Sequence, residues 1–536
     1  MRPIKIKNIL FCLVVSLGIF LRFFLLDSFP VQLNHDEVSQ LVDVSSIVKT
    51  GRDIYGNFLP LAFPSTGDFK PGHYIYISVV PYLLFGDKEF TIRIPSAFFG
   101  SLTVVAVFLF INALAKNWAI ALLSALMVAI TPSEIFYSRK SFENVIGVCL
   151  LFFGLTLIVK GIRKEKASLI FPGIALVCLP MYMYTSHIIT TPLILLSLWI
   201  IFRKGILIKS TIIFLLSLVP LILMTSLNSD LKFRAASVFI TQDKSLTDYL
   251  NLVGIPAKGY LDFIAAKYFN QFDLTYIFAN GLDLTNQGIL GAGPLLLWQL
   301  PFVVLGMVFL IKDNLPKGVR ELLLSLVVIG FIPSALTFEE RSPHRAMLAF
   351  TTFSIISAFG LYYFLNTIKH IKINLQLKRL IYLLTYFLLL FNILHFTRIY
   401  AISFPFEKSQ HISFPFKDVS QFVWSQYKNF DHIIWDPKFG TVAPMVGVAT
   451  HYYLVYYGSF SPADFQKMYR VDKIKGELSF DKFSIRPVIW SADQNLKNTL
   501  IIASSWSIPL KSIDKGEIIK TFNFYNGQPA FYAIKL

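Results

Sequence analysis

Long apolar runs alternate along this chain with short, basic connectors. A bilayer crossing needs about 20 mostly apolar residues. Eleven runs approach or reach that length: 9–26, 94–114, 118–130, 145–159, 169–184, 188–202, 210–227, 289–311, 322–336, 346–365 and 380–394. The run His73–Phe85 has 13 residues and contains Pro81, and it reads as a re-entrant or interfacial helix. Were it a crossing, every later basic connector would change sides. The basic stretch 1–8 leads into the first run with no small-residue cleavage site behind it, so that run reads as a retained span.

The connectors carry the orientation signal. Arg2, Lys5 and Lys7 precede the first run, and Lys116 follows the second. Lys160, Arg163, Lys164 and Lys166 follow the fourth, and Arg203, Lys204 and Lys209 the sixth. Lys312, Lys317 and Arg320 follow the eighth, and Lys369, Lys372, Lys378 and Arg379 the tenth. All fall on one side, which the positive-inside rule makes cytoplasmic. The N-terminus is then inside and the tail outside. Three external segments are long: 27–93, 228–288 and the tail 398–536. The tail mixes β-rich runs (432–435, 499–503, 530–534) with a helix-like stretch at 419–427 and reads as a small α/β domain. The division along the chain is a membrane domain, 1–397, followed by an extracytoplasmic domain, 398–536.

Composition agrees and closes other routes. A chain of 536 residues with 55% hydrophobic and 15% charged residues and a mean hydropathy of +0.60 is far from soluble usage, where about a quarter is charged. The net charge of +17 invites a nucleic-acid reading, but much of the Lys and Arg lies in the connectors, so no nucleic-acid partner is expected. Cys12, Cys149 and Cys178 all lie in apolar runs, which leaves no disulfide framework.

The first external segment holds the candidate chemistry. It contains Asn34-His35-Asp36-Glu37, followed by an amphipathic stretch, 38–48, that stops at Gly51. Asp36 and Glu37 are expected just before this helix, where its dipole favours negative charge. Two readings stand side by side: a helix cap with a solvated acidic neighbour, or a base and metal-ligand cluster at a membrane surface.

The stretch from Arg22 to Leu114 resembles the start of membrane glycosyltransferases of the GT-C fold, in the bacterial branch related to protein O-mannosyltransferases and the lipid A aminoarabinose transferase. The resemblance is carried by Arg22 near the end of the first span, Asp36-Glu37, Lys70-Pro71 before 73–85, and Arg93-Ile94-Pro95-Ser96-Ala97 opening the second span. It continues in Thr131-Pro132, Ser138-Arg139-Lys140 with Glu143, Ala279-Asn280-Gly281 and Ser342-Pro343-His344-Arg345. The resemblance covers roughly residues 9–400 and implies the GT-C fold; with the eleven runs and the tail read above, the expectation is an all-α polytopic membrane protein with about 11 transmembrane helices, interfacial helices in the first loop and a small outer α/β domain. The resemblance also implies inverting transfer of one sugar from a polyprenyl-phosphate donor to a lipid, glycan or protein acceptor at the outer face of a plasma membrane. Asp36 inherits the role of general base, with Glu37 beside it.

A phosphate leaving group needs positive partners and no carboxylic acid to protonate it. Lys70, Arg139 and Arg345 are the candidate phosphate ligands; the bland alternative for each is snorkelling or an ion pair, Arg139 with Glu143 and Arg345 with Glu339 or Glu340. The resemblance leaves a divalent metal open. In the lipid A branch an acidic residue directly precedes the Lys-Pro, whereas here Phe69 holds that place and Asp68 lies one earlier; Asp68 and His73 are the residues that would rebuild a metal site. Glu143, Tyr184, His187 and His344 complete the set of possible substrate or metal contacts, with belt packing as the plainer role for His187. The rival class is a transporter or lipid-linked sugar flippase. Such proteins show paired repeats and mid-span charges, whereas here no repeat is seen and the acidic residues gather in external loops.

Overall fold

The structure is a computed structural model that describes residues 3–65, 69–209, 211–227, 236–253, 256–282, 289, 291–439, 449–472, 474, 476–509, 511, 513 and 516–536. Its residues pack as two compact units that are not contiguous in sequence: Met1–Leu26 with Arg93–Tyr400, and Asp27–Ile92 with Ala401–Leu536. The division at about residue 397 follows the chain; in the packing, the first external segment goes with the tail.

The first unit is helical. Each of the eleven apolar runs contains a helix, but they differ in length. Six helices among the described residues are long and apolar enough to cross a bilayer, and the pair Trp118–Ile130 and Pro132–Ser138, bent by 57°, makes a seventh candidate. Ala167–Met183, Ser186–Phe202 and Leu297–Lys312 are shorter apolar helices. One run differs from its expected extent: 289–311 is helical only from Leu297, because Gly291 takes a positive φ of 73° and Gly293 and Pro294 follow before a helix can start. The bend at residue 131 also has a local cause. Pro132 has no N–H to continue the helix, and Thr131 is extended, with its hydroxyl donating to the Met127 carbonyl at 2.7 Å.

Small side chains let these helices approach closely. A Cβ on Gly100 would stand 2.7 Å from Ser138 Cβ and 3.1 Å from Arg22 Nε. Arg22, wholly buried, donates to the carbonyls of Gly18, Ala129 and Val128 at 3.1–3.3 Å and so ties the first helix to the third. The Arg93–Ala97 motif has a structural content of its own. Arg93 Nη1 donates to the Leu26 carbonyl at 3.0 Å, Pro95 sits in the first turn of Ile94–Ala115, and Ser96 Oγ exchanges hydrogen bonds with Phe142 N and O at 2.9 and 3.1 Å.

The second unit holds the His35–Thr50 and His73–Phe85 helices and, among the described residues, nine strands. His73–Phe85 packs against His35–Thr50 within this unit. Strand β1 (Ala62–Pro64) pairs antiparallel with β2 (Phe69–Pro71), with Phe63 opposite Lys70. The tail forms one seven-stranded sheet in the order β4-β5-β6-β3-β7-β9-β8. Its strands are β3 (His432–Trp435), β4 (Arg470–Asp472), β5 (Glu477–Phe480), β6 (Phe483–Ile485), β7 (Thr499–Ser504), β8 (Glu517–Asn523) and β9 (Pro529–Lys535). β3 runs parallel to both neighbours and the other pairs are antiparallel. Three of these strands, β3, β7 and β9, are the runs read from the sequence. The other four carry exposed or mixed positions, as in β8, where the alternation that marks a half-buried strand is weak.

Candidate active site

The acidic pair lies inside a helix rather than before it. The helix begins at His35 with Asn34 as its cap, so Asp36 and Glu37 occupy the first turn. The N–H groups of Asp36 and Glu37 donate to Asn34 Oδ1 at 2.8 and 3.0 Å, and Asn34 N–H donates to Glu37 Oε2 at 3.1 Å. This is a capping box, which satisfies otherwise orphaned backbone donors from both ends. Asn at the cap with Glu three residues on was the legible signal for it. Gly51 closes the helix in the left-handed conformation, φ 69°, and donates to Ile47 O at 2.9 Å.

The two carboxylates therefore do different things. Glu37, 1% exposed, is turned back into the cap. Asp36 faces outward, its side chain one third exposed, and meets Lys70 Nζ at 2.6 Å. His35 Nε2 stands 3.6 Å from the same Asp36 oxygen. Lys70 reaches Asp36 from β2, where pairing with β1 fixes its direction. A positive charge this close favours an ionised carboxylate, the form that can take a proton.

A second carboxylate underlies the pair. Asp43 is two turns after Asp36 on the same helix, buried, and accepts from Ile54 N–H at 3.0 Å. Burial pushes its carboxyl well above the usual range; the Ile54 hydrogen bond opposes this, Asp53 adds to it, and the Lys70 charge opposes it. His73, at the start of its helix, is held below the usual imidazole range by burial and is therefore neutral at pH 7. Asp68 lies outside the described residues.

No three His, Cys, Asp or Glu side chains among the described residues converge as metal ligands. At Asp36, the place of a cation is taken by the Lys70 ammonium.

The remaining predicted residues lie in the first unit, in two groups. Arg139 closes the end of the first helix: Nη1 donates to the carbonyls of Leu21 and Arg22 at 3.0 and 3.2 Å, and Nη2 to that of Leu25 at 3.0 Å. It also lies over the Tyr400 ring at 5.8 Å. A cation on a helix C-terminus is electrostatically favourable. Glu143 starts the Glu143–Lys164 helix and is buried.

The second group is built on a hydrogen-bonded chain. His187 Nε2 meets Asn144 Oδ1 at 2.8 Å, and Asn144 Nδ2 donates to the His344 carbonyl at 2.6 Å. Gly147 makes room for this, since a Cβ there would stand 2.5 Å from His187 Nε2. The His344 ring is surrounded by Phe142, Tyr184 and Tyr137, with centroids 5.7, 6.5 and 6.5 Å away. Arg345 Nη1 is bound to Glu339 Oε2 at 2.7 Å and to Ser342 Oγ at 3.1 Å, the ion pair that was its plainer reading. Burial alone would raise the Glu339 carboxyl; the His344 and Arg345 charges and the Ser342 hydroxyl outweigh it and hold it below its usual range. Sequence reasoning missed Asn144, whose partners are distant along the chain.

Residues 70–227 match the family described as dolichyl-phosphate-mannose-protein mannosyltransferase. Among solved structures, ArnT from Cupriavidus metallidurans bound to undecaprenyl phosphate is similar with a TM-score of 0.55 at 12% identity, over 97% of each chain. The apo state of that protein gives a TM-score of 0.52 at 12% identity, over 98% of this chain and 97% of the other. No curated protein sequence matches. The class is thus a multi-pass membrane protein with the GT-C fold of membrane glycosyltransferases. Within it, the segment 70–227 is similar to the protein mannosyltransferase family, and of the motifs that carried the resemblance it contains Lys70-Pro71 and Arg93–Ala97.

Proposed function

We propose that this protein transfers one sugar from a polyprenyl-phosphate donor to an acceptor hydroxyl or amine at the outer face of the membrane, with inversion at the anomeric carbon. The observation that carries the reading is the Asp36–Lys70 pair at 2.6 Å, on a capped helix turn, in a chain of this fold. The family matched over 70–227 is described by a dolichyl-phosphate-mannose donor, and the structurally similar ArnT was crystallised with undecaprenyl phosphate, which supports a polyprenyl-phosphate carrier here.

Asp36 takes the proton from the acceptor as its oxygen or nitrogen forms a bond to the anomeric carbon; the carbon–oxygen bond to the carrier phosphate breaks, and the phosphate leaves with the electron pair. The leaving phosphate monoester is already stable as an anion, so one base suffices. Lys70 serves twice: it keeps Asp36 ionised, and its ammonium has further N–H donors for a phosphate oxygen. Glu37 orients Asp36 by fixing the turn that carries it. Arg139 and Arg345 are proposed phosphate ligands on their own unit, and Tyr184, His187 and His344 proposed substrate contacts there. No step is routed through a metal. The N-terminus is cytoplasmic and the tail extracytoplasmic in this proposal, following the basic connectors.

The test is a panel of polyprenyl-phosphate sugars incubated with purified protein, read by release of free carrier. Wild type should release carrier from at least one donor, and Asp36→Asn should fold and insert but release none. Full activity of Asp36→Asn would remove Asp36 as the base.

A further inference from the structure

Two neighbouring tyrosines of the tail reach the two halves of the Asp36–Lys70 pair separately. They stand on the Thr450–Tyr457 helix, where consecutive residues point about 100° apart and so meet different elements. Tyr453, fully buried, donates to the Leu33 carbonyl at 2.9 Å. Leu33 directly precedes Asn34, the cap on which the Asp36 turn is hung. Tyr452, also buried, donates to the Pro64 carbonyl at 3.0 Å. Pro64 is the β1 residue opposite Phe69, next to Lys70 on β2. Tyr452 is itself oriented. Tyr55 OH lies 3.0 Å from Tyr452 OH and 2.9 Å from His451 Nε2. The order that leaves each hydroxyl one proton to donate runs from His451 Nε2–H to Tyr55, from Tyr55 to Tyr452, and from Tyr452 to Pro64.

Further contacts from the tail bracket the same helix. Gln32 donates to the Ile412 carbonyl at 2.9 Å just ahead of the cap, and Gln466 donates to Ser46 Oγ, Thr50 Oγ1 and the Asp53 carbonyl at 3.1, 3.2 and 2.8 Å at the other end. Tyr453 and Gln32 hold the chain just ahead of the Asp36 turn, and Tyr452 holds the strand paired with that of Lys70.

We infer that Tyr452 and Tyr453 are positioning residues: the tail sets the distance between Asp36 and Lys70 by holding the helix cap with one hydroxyl and the β1–β2 hairpin with the other. The inference rests on the proposed role of Asp36 as base. A pair held from two sides by buried hydrogen bonds is preorganised, and a misplacement of about 1 Å in a catalytic group costs up to roughly a hundredfold in rate.

The experiment compares Tyr452→Phe, Tyr453→Phe and, as a control, Tyr457→Phe, whose hydroxyl reaches Glu89 Oε1 at 3.2 Å instead. Each keeps its ring and loses only the hydroxyl. Full-length protein in detergent is assayed for kcat and donor KM with the donor that wild type uses. Tyr452→Phe and Tyr453→Phe should each lower kcat by roughly 10-fold or more with donor KM unchanged, while Tyr457→Phe stays near wild type. Hydrogen exchange provides a second reading that does not need activity. The amides of Asp36 and Glu37 should exchange faster in Tyr453→Phe while those of β3 and β7 keep their protection. Wild-type kcat and unchanged exchange at 36 and 37 in Tyr453→Phe, with Asp36→Asn inactive, overturn the inference alone. An active Asp36→Asn overturns the proposed base instead. A fall in kcat matched by a rise in donor KM, or equal loss in Tyr457→Phe, assigns the tyrosines to general stability and also overturns it.

Discussion

Replacing Lys70 by Met removes one charge while keeping an unbranched chain of similar length. At 2.6 Å and an effective dielectric near 20, the gross attraction to Asp36 is about 6 kcal/mol. Lys70 is nearly buried but the Asp36 side chain is 33% exposed, so water screens much of this. Removing one partner of such a half-buried pair should cost about 1–3 kcal/mol, between the values for exposed and buried pairs. If that energy holds Asp36 ionised and aimed in the transition state, Lys70→Met loses about 10- to 100-fold in kcat. Arg at this position restores the charge but not the compact ammonium, so Lys70→Arg should recover only part of the loss. The assay is steady-state release of free carrier, with thermal unfolding run alongside to confirm that the variant is folded. A folded Lys70→Met with kcat within about twofold of wild type would refute the reasoning, since the gross figure then overstates the coupling entirely. A rise in donor KM at constant kcat would leave Lys70 as a phosphate contact and remove its part in activating the base.

Asp43 makes a pH test of the second unit. Its carboxyl is held well above the usual range in the folded chain, chiefly by burial, so the folded state keeps a proton that the unfolded state gives up. Stability therefore falls as pH rises from the ordinary carboxylate range near 4 toward the raised value, and stays at the lower level above it. Asp43→Asn, which can still accept from Ile54 N–H, should unfold at a higher temperature than wild type at pH 7 and lack that decline; an unchanged pH profile of unfolding temperature counts against it. Arg139→Ala should weaken use of the carrier with little effect on the acceptor. It should also destabilise the first unit by roughly 2–4 kcal/mol, since three charge-assisted hydrogen bonds to the carbonyls of Leu21, Arg22 and Leu25 are lost. Unfolding with an unchanged dependence on carrier concentration would leave Arg139 as a helix cap only.

Hydrophobic length sufficed for the helical membrane class, because that signal is local and additive along the chain. The capping box at Asn34 and Glu37 was equally local, and its three-residue spacing is visible without coordinates. The Asp36–Lys70 pair was not: two candidates with separate roles in the sequence became one ion pair, because the β1–β2 hairpin turns Lys70 back toward the helix. Arg345 and Glu339 lie six residues apart, and the pair between them was among the alternatives; the His187–Asn144–His344 chain joins three segments that no spacing rule connects.

From sequence alone came what depends on the solvent each segment can tolerate: which runs are apolar enough for lipid, which loops stay in water, and which acidic pair lies in a water-exposed segment. Tertiary structure decided which distant groups meet. Tyr452 and Tyr453 reach the backbone beside the Asp36–Lys70 pair from 388 and 420 residues away, through hydrogen bonds of 3.0 and 2.9 Å to backbone carbonyls. A carbonyl carries no side-chain identity, so its partner leaves no pattern in the residue it belongs to. Only the packing of the first segment with the tail brings donor and acceptor within reach.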